Sequence, residues 1–255
     1  SRILIPAFIK GGANFHTISA RTGIGPTFFG KKYKFLKAST SIDKVIADPE
    51  ANTILIATNH DSHANLVIKA LNAGKHVYVE KPLCLNSNEL DSIKSAYSSN
   101  NILMVGFNRR FAPYILKLKE KLSDINSPKS FIYTCNAGQI DKKSWIHDPI
   151  IGGGRLLGEA CHFVDLLRYL ADSSIENLEI NSMIDSKPCP DVFSISMKFK
   201  DGSIGSINYF SNGSKSFPKE RLEVFSSGKI FLIDNYRKMK IWGMPGFTTH
   251  RSIYQ

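Results

Sequence analysis

The stretch His76-Val77-Tyr78-Val79-Glu80-Lys81-Pro82 sets a carboxylate, an ammonium and a ring-locked residue directly after an apolar run. Glu and Lys move protons, and at the carboxyl end of a buried strand in an open α/β sheet they project into the crevice where ligands sit. Proline fixes its own φ and disfavours helix at the residue before it, so Pro82 is expected to hold Lys81 in one direction. A second set is Glu159, His162 and Asp165, spaced i, i+3, i+6, so that successive members are neighbours on one helix face. Glu159-x-x-His162 is also half of a di-metal helix motif, but the second copy and matching carboxylates are absent, and no metal is expected. Cys161 points about 100° away from His162 on a helix, which suits a structural thiol better than a nucleophile.

These groups need elements to carry them. Residues 15–19, 33–38, 53–57, 76–79 and 102–107 read as strands. Between them, 41–47 opens on the N-cap residue Ser41, 60–73 ends at Gly74, and 86–99 opens on Asn86, all as helices. Strand and helix taking turns imply a Rossmann-like, doubly wound parallel sheet. Beyond about residue 127, segments 131–136, 178–184, 192–199, 203–210, 221–225, 230–233 and 238–242 alternate apolar with polar residues and are joined by turns such as Asp201-Gly202 and Ser227-Gly228. That is a mostly antiparallel open sheet, interrupted by one helix over 155–171 after Gly152-Gly153-Gly154. The expected fold is α/β: a dinucleotide-type domain over 1–110, then an α+β domain over 111–255, with the boundary inside 108–127. The nearest glycine loop is Gly23-Ile24-Gly25-Pro26-Thr27-Phe28, where bulky Phe28 takes the third glycine's place, so a plain turn into a helix is expected. Residues 2–10 read as an apolar helix ended by Gly11-Gly12 with no strand ahead of it. The expectation is therefore a parallel domain truncated at its N-terminus, its first strand and glycine loop outside the sequence.

Composition narrows the function classes. A chain of 255 residues, 42% hydrophobic, can bury a sizeable core. Its net charge is +11, yet the basic residues are dispersed apart from short clusters at Lys31-Lys32-Tyr33-Lys34 and Arg237-Lys238-Met239-Lys240, so solvated faces rather than a nucleic-acid footprint are expected. Anionic small molecules remain compatible with that charge. Apolar runs such as 53–57 are far too short to cross a bilayer. Cys84, Cys135, Cys161 and Cys189 form no C-x-x-C pair and no framework, which points to a reducing cytoplasm.

Thr58-Asn59-His60 after one buried strand, Glu80-Lys81-Pro82 after the next, Gly106-Phe107-Asn108-Arg109-Arg110, and Gly152-Gly153-Gly154 leading to His162-Phe163-Val164-Asp165 occur in an order and spacing that together resemble the Gfo/Idh/MocA oxidoreductases, from residue 1 to about 240. The resemblance implies NAD(P)-dependent hydride transfer to or from a secondary hydroxyl of a sugar, inositol or nucleotide sugar. It implies that Lys81 hydrogen-bonds the reacting hydroxyl and relays its proton; an ammonium beside a cationic nicotinamide ring releases a proton more readily. It implies that His162 takes the substrate proton. Glu159 stands one position from the family's acid, which here is Gly158; it either substitutes from there, pairs with Arg155 or lines the pocket.

Cofactor contacts are expected from Ser19, Arg21, Thr58, Asn59, His60, His63, Glu80, Lys81, Pro82 and Asn108. Ser19-Ala20-Arg21 follows the strand where NAD-binding relatives place an acid for the ribose, so Arg21 leans the cofactor toward NADP, the alternative being a solvent-facing arginine. Arg109, Trp145, His147, Arg155 and Asp165 are candidate contacts for a polyhydroxylated substrate, with Trp145 alternatively a packing residue. The second-domain sheet is, by resemblance, a surface for homo-oligomer formation. Two other functions use the same parts: glycoside hydrolysis through transient oxidation, and a regulatory module that senses cofactor or sugar without turning it over.

Overall fold

The computed structural model describes residues 3–22, 24–141, 143–183, 189–245 and 250–251. Arg2, Gly23 and Ile184, which the sequence reading assigned to a helix, a glycine turn and a strand, lie outside those residues. The chain forms two compact units, Ser1–Gly106 and Phe107–Gln255.

In the first unit the order is α1 (Leu4–Lys10), β1 (Thr17–Ser19), α2 (Ile24–Tyr33), β2 (Lys37–Ser39), α3 (Ile42–Ala47), β3 (Thr53–Ile56), α4 (His63–Asn72), β4 (His76–Val79), α5 (Ser87–Ala96) and β5 (Leu103–Val105). Local chemistry sets the boundaries. Ser41 Oγ accepts from Lys44 N at the head of α3, and Asn86 Oδ1 accepts from Glu89 N at the head of α5 while Glu89 accepts from Leu85 N. Gly74, at φ +71°, follows the end of α4 in the left-handed region. The short apolar strands pair in parallel, but in two pieces: β1 with β2, and β3-β4-β5. No ladder joins the pieces among the described residues, so the single sheet of the sequence reading is split. Val67, Ala70, Val77, Val79 and Ile56 form the core that α4 and α5 cover.

Tyr33, expected in a strand, is instead the last residue of α2, its ring stacked on Phe29 one helical turn earlier at 6.3 Å. An i, i+4 aromatic pair supports helix there and the strand begins later, at Lys37. Phe28 is 62% exposed on the same helix and a Cβ at Gly25 would meet nothing within 4 Å, so the glycine-like segment is an ordinary helix with no close backbone approach.

The second unit opens with α6 (Pro113–Ser123), then β6 (Ser130–Asn136), α7 (Cys161–Ala171), β7 (Ile175–Ser182), β8 (Phe193–Phe199), β9 (Ile204–Phe210), β10 (Glu220–Ser226), β11 (Lys229–Asp234), β12 (Lys238–Trp242) and β13 (His250–Arg251). Helix α6 fills the stretch that the sequence reading left as a boundary; proline at its first turn suits the missing N–H, and Ile115, Leu118 and Leu122 make its buried stripe. The eight strands run in the order β13-β12-β11-β10-β6-β9-β8-β7, antiparallel except for the parallel pair β6–β9. Alternate residues Phe131, Tyr133, Val224, Phe231, Ile207 and Tyr209 face Phe163, Leu166, Leu167 and Leu170 of α7 in one core. The register sends Ile132, Ile204, Phe225 and Trp242 to the opposite face, where they are 37–54% exposed.

Candidate active site

In the first unit, three parallel strands end side by side. β3 runs out into Thr58-Asn59, β4 into Glu80-Lys81-Pro82, and β5 into Gly106. Ladder bonds continue past the strands, Glu80 N donating to Ile56 O at 2.9 Å and Gly106 N to Val79 O at 2.8 Å, so these ends are held in register. The Lys81–Pro82 peptide is cis, Pro82 is buried and Lys81 is half-buried. Tyr78 donates to Glu80 Oε1 at 3.2 Å; burial first, and then the carboxylate, push its phenol up to about 12, so it serves as a donor at neutral pH. Gly106 lets this pair sit where it does, because a Cβ there would fall 2.7 Å from Tyr78 Oη and 3.2 Å from Glu80 Oε1.

The Thr58 turn is built from its own hydroxyls. Thr58 Oγ1 and Ser62 Oγ are 2.6 Å apart, and Ser62 Oγ donates to Asn59 O at 2.8 Å. Asn59 is exposed, whereas His60 is buried. His63 is fully buried beneath both turns, Nδ1 2.7 Å from Pro82 O and Nε2 3.1 Å from Thr58 O. Its place is under the strand ends, not at their surface. On the other sheet piece, Arg21 is exposed just past β1, while Ser19 Oγ is buried with no hydrogen-bond partner among the described residues.

In the second unit, Asn108–Phe111 forms a 3-10 turn beside α7. Asn108 is exposed, and the two arginines that follow it are committed. Arg109 donates through Nε (3.0 Å) and Nη2 (2.8 Å) to Glu220 and lies over the Phe163 ring at 4.9 Å. Glu220 also accepts from Tyr133, whose hydroxyl is 3.1 Å from that of Tyr236. Burial alone raises the Glu220 carboxyl, but the guanidinium overrides it and holds the group below its ordinary range. Arg110 makes a second two-pronged pair with Asp165. His162 is buried, edge-on to the Phe107 ring at 6.1 Å.

His162 stands one residue into α7, just after a π turn over Leu156–Ala160 that contains half-buried Glu159. A π turn inserts a residue into the helix, so positions before it are rotated relative to a plain α spacing. The glycine triplet has a packing cause. A Cβ at Gly152 would lie 2.5 Å from the Ile146 Cα and the Trp145 carbonyl, and one at Gly154 2.5 Å from Cys189 Cβ. The close approach seats the Trp145–His147 turn, with Trp145 38% exposed and His147 buried, its Nδ1 3.6 Å from the buried Asp191 Oδ1. Arg155 is buried, donating to Gly138 O at 2.8 Å and lying 5.0 Å from the Tyr209 ring centroid.

Tyr78, Gly106, Glu220, Tyr133 and Asp191 were not singled out by sequence reasoning. Glu220 lies 111 residues from Arg109 and carried no local signal; Gly106 was legible only as part of a motif. Among the described residues, one group of donors lies close enough to share a cation, His16, Asp48 and Glu50. Lys37 Nζ sits 3.3 Å from Asp48 and 3.8 Å from Glu50, and the imidazole itself bonds Glu50 at 2.9 Å, so an internal cation already balances these carboxylates.

The first unit presents Thr58 and Glu80-Lys81-Pro82 at the carboxyl ends of parallel strands, and the second is built on an open eight-stranded sheet. Residues 27–107 match the model described as the oxidoreductase family, NAD-binding Rossmann fold, and 124–230 match the GFO/IDH/MocA C-terminal domain. The chain belongs to the Gfo/Idh/MocA family. It is 30% identical over 215 residues to the myo-inositol 2-dehydrogenase of Thermotoga maritima, covering 80% of this chain and 63% of that protein. It is 28% identical over 167 residues to the levoglucosan dehydrogenase of Pseudarthrobacter phenanthrenivorans, covering 62% and 43%. The chain thus spans less than two thirds of the length of either relative. The structure of levoglucosan dehydrogenase in complex with NADH and levoglucosan shares the fold, with a TM-score of 0.84 at 22% identity over 93% of this chain and 71% of that one.

The described residues fit a dinucleotide. Ser19 Oγ at the end of β1 is a buried polar atom with no partner, and the Thr58 and Lys81 turns offer hydroxyl, carboxylate and ammonium groups at the ends of neighbouring strands. No helix of the described residues is long and apolar enough to cross a membrane.

Proposed function

We propose that this chain carries an NAD(P)-dependent dehydrogenase activity on a secondary hydroxyl of a sugar, inositol or nucleotide-sugar-like substrate. The carrying observation is the half-buried Lys81, delivered at the carboxyl end of β4 by a turn tied from below. Nicotinamide, when bound, supplies the hydride acceptor. Lys81 hydrogen-bonds the reacting hydroxyl and passes its proton on; His162, in the second unit, receives the substrate proton, with Glu159 as its nearby acid. Thr58, Asn59, His60, Glu80, Pro82 and Asn108 bound the cofactor side. Trp145, His147 and Arg155 serve the substrate side, an aromatic with hydrogen-bonding neighbours suiting a polyhydroxylated ring. Arg109 and Asp165 act through their ion pairs, which tie the Asn108 turn to Glu220 of β10 and to α7, rather than touching substrate.

Arg21, exposed past β1, favours a 2′-phosphate and hence NADP. The outward sheet face with Ile132, Ile204, Phe225 and Trp242 is the proposed homo-oligomer surface. The test is formation of reduced nicotinamide with NAD⁺ and NADP⁺ against a panel of inositols and anhydrosugars, alongside Lys81→Met. Turnover that Lys81→Met abolishes supports the reading. A Lys81→Met variant with undiminished turnover sinks it.

A further inference from the structure

Nothing above gives His63 a contact to substrate, yet its surroundings are specific. It is 0% exposed, at the first position of α4 and so on a rigid element. Nδ1 lies 2.7 Å from Pro82 O, and Nε2 lies 3.1 Å from Thr58 O. Those carbonyls belong to the turns that end β4 and β3, the two turns on which the cofactor-side residues sit. A neutral imidazole has one donor, and the shorter contact takes it, so the Nδ1–H donates to Pro82 O. The second nitrogen faces Thr58 O at 3.1 Å and bonds it only where it too carries a proton, so the ring sits between the two turns. Packing supplies the third side, with the His60 ring at 5.7 Å, tilted by 60°.

The sequence reading placed His63 among cofactor contacts. A fully buried ring under the backbone cannot take that role, but it is suited to another. Pro82 is the residue after Lys81, and a bond to its carbonyl anchors the turn from which the Lys81 side chain leaves. We propose that His63 is a positioning residue, locking the Lys81 turn to the Thr58 turn from inside the first unit. The inference rests on Lys81 as the acid/base group, and it is independent of which sugar is oxidised.

Two substitutions separate geometry from bulk. His63→Asn keeps a donor amide near the Nδ1 position; His63→Phe keeps a ring and removes both nitrogens. In the full chain, kcat with the best polyol of the panel is expected to fall roughly 10- to 100-fold in His63→Phe with KM for that polyol within about threefold, since a displaced acid/base group costs turnover more than binding. His63→Asn should recover most of it. A readout that needs no activity is the ¹³C signal of reductively methylated Lys81, assigned by its loss in Lys81→Arg: it should move in His63→Phe and return toward its wild-type place in His63→Asn. A long-range ¹H–¹⁵N imidazole spectrum of the unaltered chain should show Nδ1 protonated, which tests the bond even where a variant fails to fold.

An unmoved Lys81 signal in folded His63→Phe, or a bare Nδ1, overturns the proposal. Loss of the dehydrogenase reading alone looks different. Lys81→Met would then keep its turnover while the Lys81 signal still answers to His63, and the positioning contact would stand.

Discussion

Replacing Glu220 by Gln removes a charge and almost no volume, which makes it the sharpest probe of how the second unit is held. The Glu220 carboxylate is 8% exposed, and it accepts Arg109 Nε at 3.0 Å and Nη2 at 2.8 Å as well as the Tyr133 hydroxyl. At such a separation, and with an effective dielectric of about 20, the attraction is roughly 6 kcal/mol, from which several kcal/mol of desolvation must be subtracted. The pair itself is thus worth little net. Breaking it is another matter, because Arg109, mostly covered with its guanidinium over Phe163, is left without a carboxylate, and a loss of about 3–5 kcal/mol is expected for Glu220→Gln. Both tryptophans, Trp145 and Trp242, lie in this unit, so their fluorescence in a urea titration reports its unfolding. The doubly apolar Arg109→Met, Glu220→Leu variant should regain most of the loss. The folded carboxyl lies below its ordinary value, so its contribution is complete above the unfolded pKa of about 4.3 and disappears as pH falls through the folded one. The gap between wild type and Glu220→Gln should therefore close in acid. A loss under about 1 kcal/mol at neutral pH, the size of an exposed pair, would refute the reasoning.

Gly106→Ala places a methyl 2.7 Å from Tyr78 Oη and should cost about 1–3 kcal/mol by overpacking, with the Tyr78 ring forced from Glu80; thermal unfolding measures the cost, and Tyr78→Phe in the same background should relieve part of it. Asn86→Ala deletes the cap that accepts from Glu89 N and should destabilise the first unit by about 1 kcal/mol, read by circular dichroism in urea. Trp242→Lys puts a charge on the outward sheet face, and light scattering should show a smaller species with folding intact; an unchanged assembly would remove that face from consideration. Arg21→Ala should weaken NADPH more than NADH, by about 1–3 kcal/mol if the guanidinium meets a 2′-phosphate, and equal effects on both would leave Arg21 as a solvated residue.

What the sequence made legible has its causes nearby in the chain. The Ser41 and Asn86 caps, the β4 run at His76–Val79 and the alternation of Lys238–Trp242 involve neighbours within a few residues, and each appears where it was expected. Tyr33 shows how local evidence goes astray: an aromatic among lysines has strand propensity, yet its ring pairs with Phe29 inside a helix. Helix α6 was missed for a different reason, its stripe of Ile115, Leu118 and Leu122 lying in a stretch already given to a boundary. The candidate site was legible as motifs and illegible as roles. Glu80-Lys81-Pro82 announced a strand end, but His63, which the sequence reading counted among the cofactor contacts, is a fully buried ring with Nδ1 2.7 Å from Pro82 O. Arg109 and Asp165 were read as substrate ligands because charge beside a motif suggests use. Each instead has a two-pronged partner within its unit, one of them 111 residues away, and a guanidinium committed at 2.8 and 3.0 Å to a buried carboxylate has little left to offer a hydroxyl. Charge in a motif marks where chemistry is organised; only the partners, which depend on the fold, separate the groups that act from those that hold them in place.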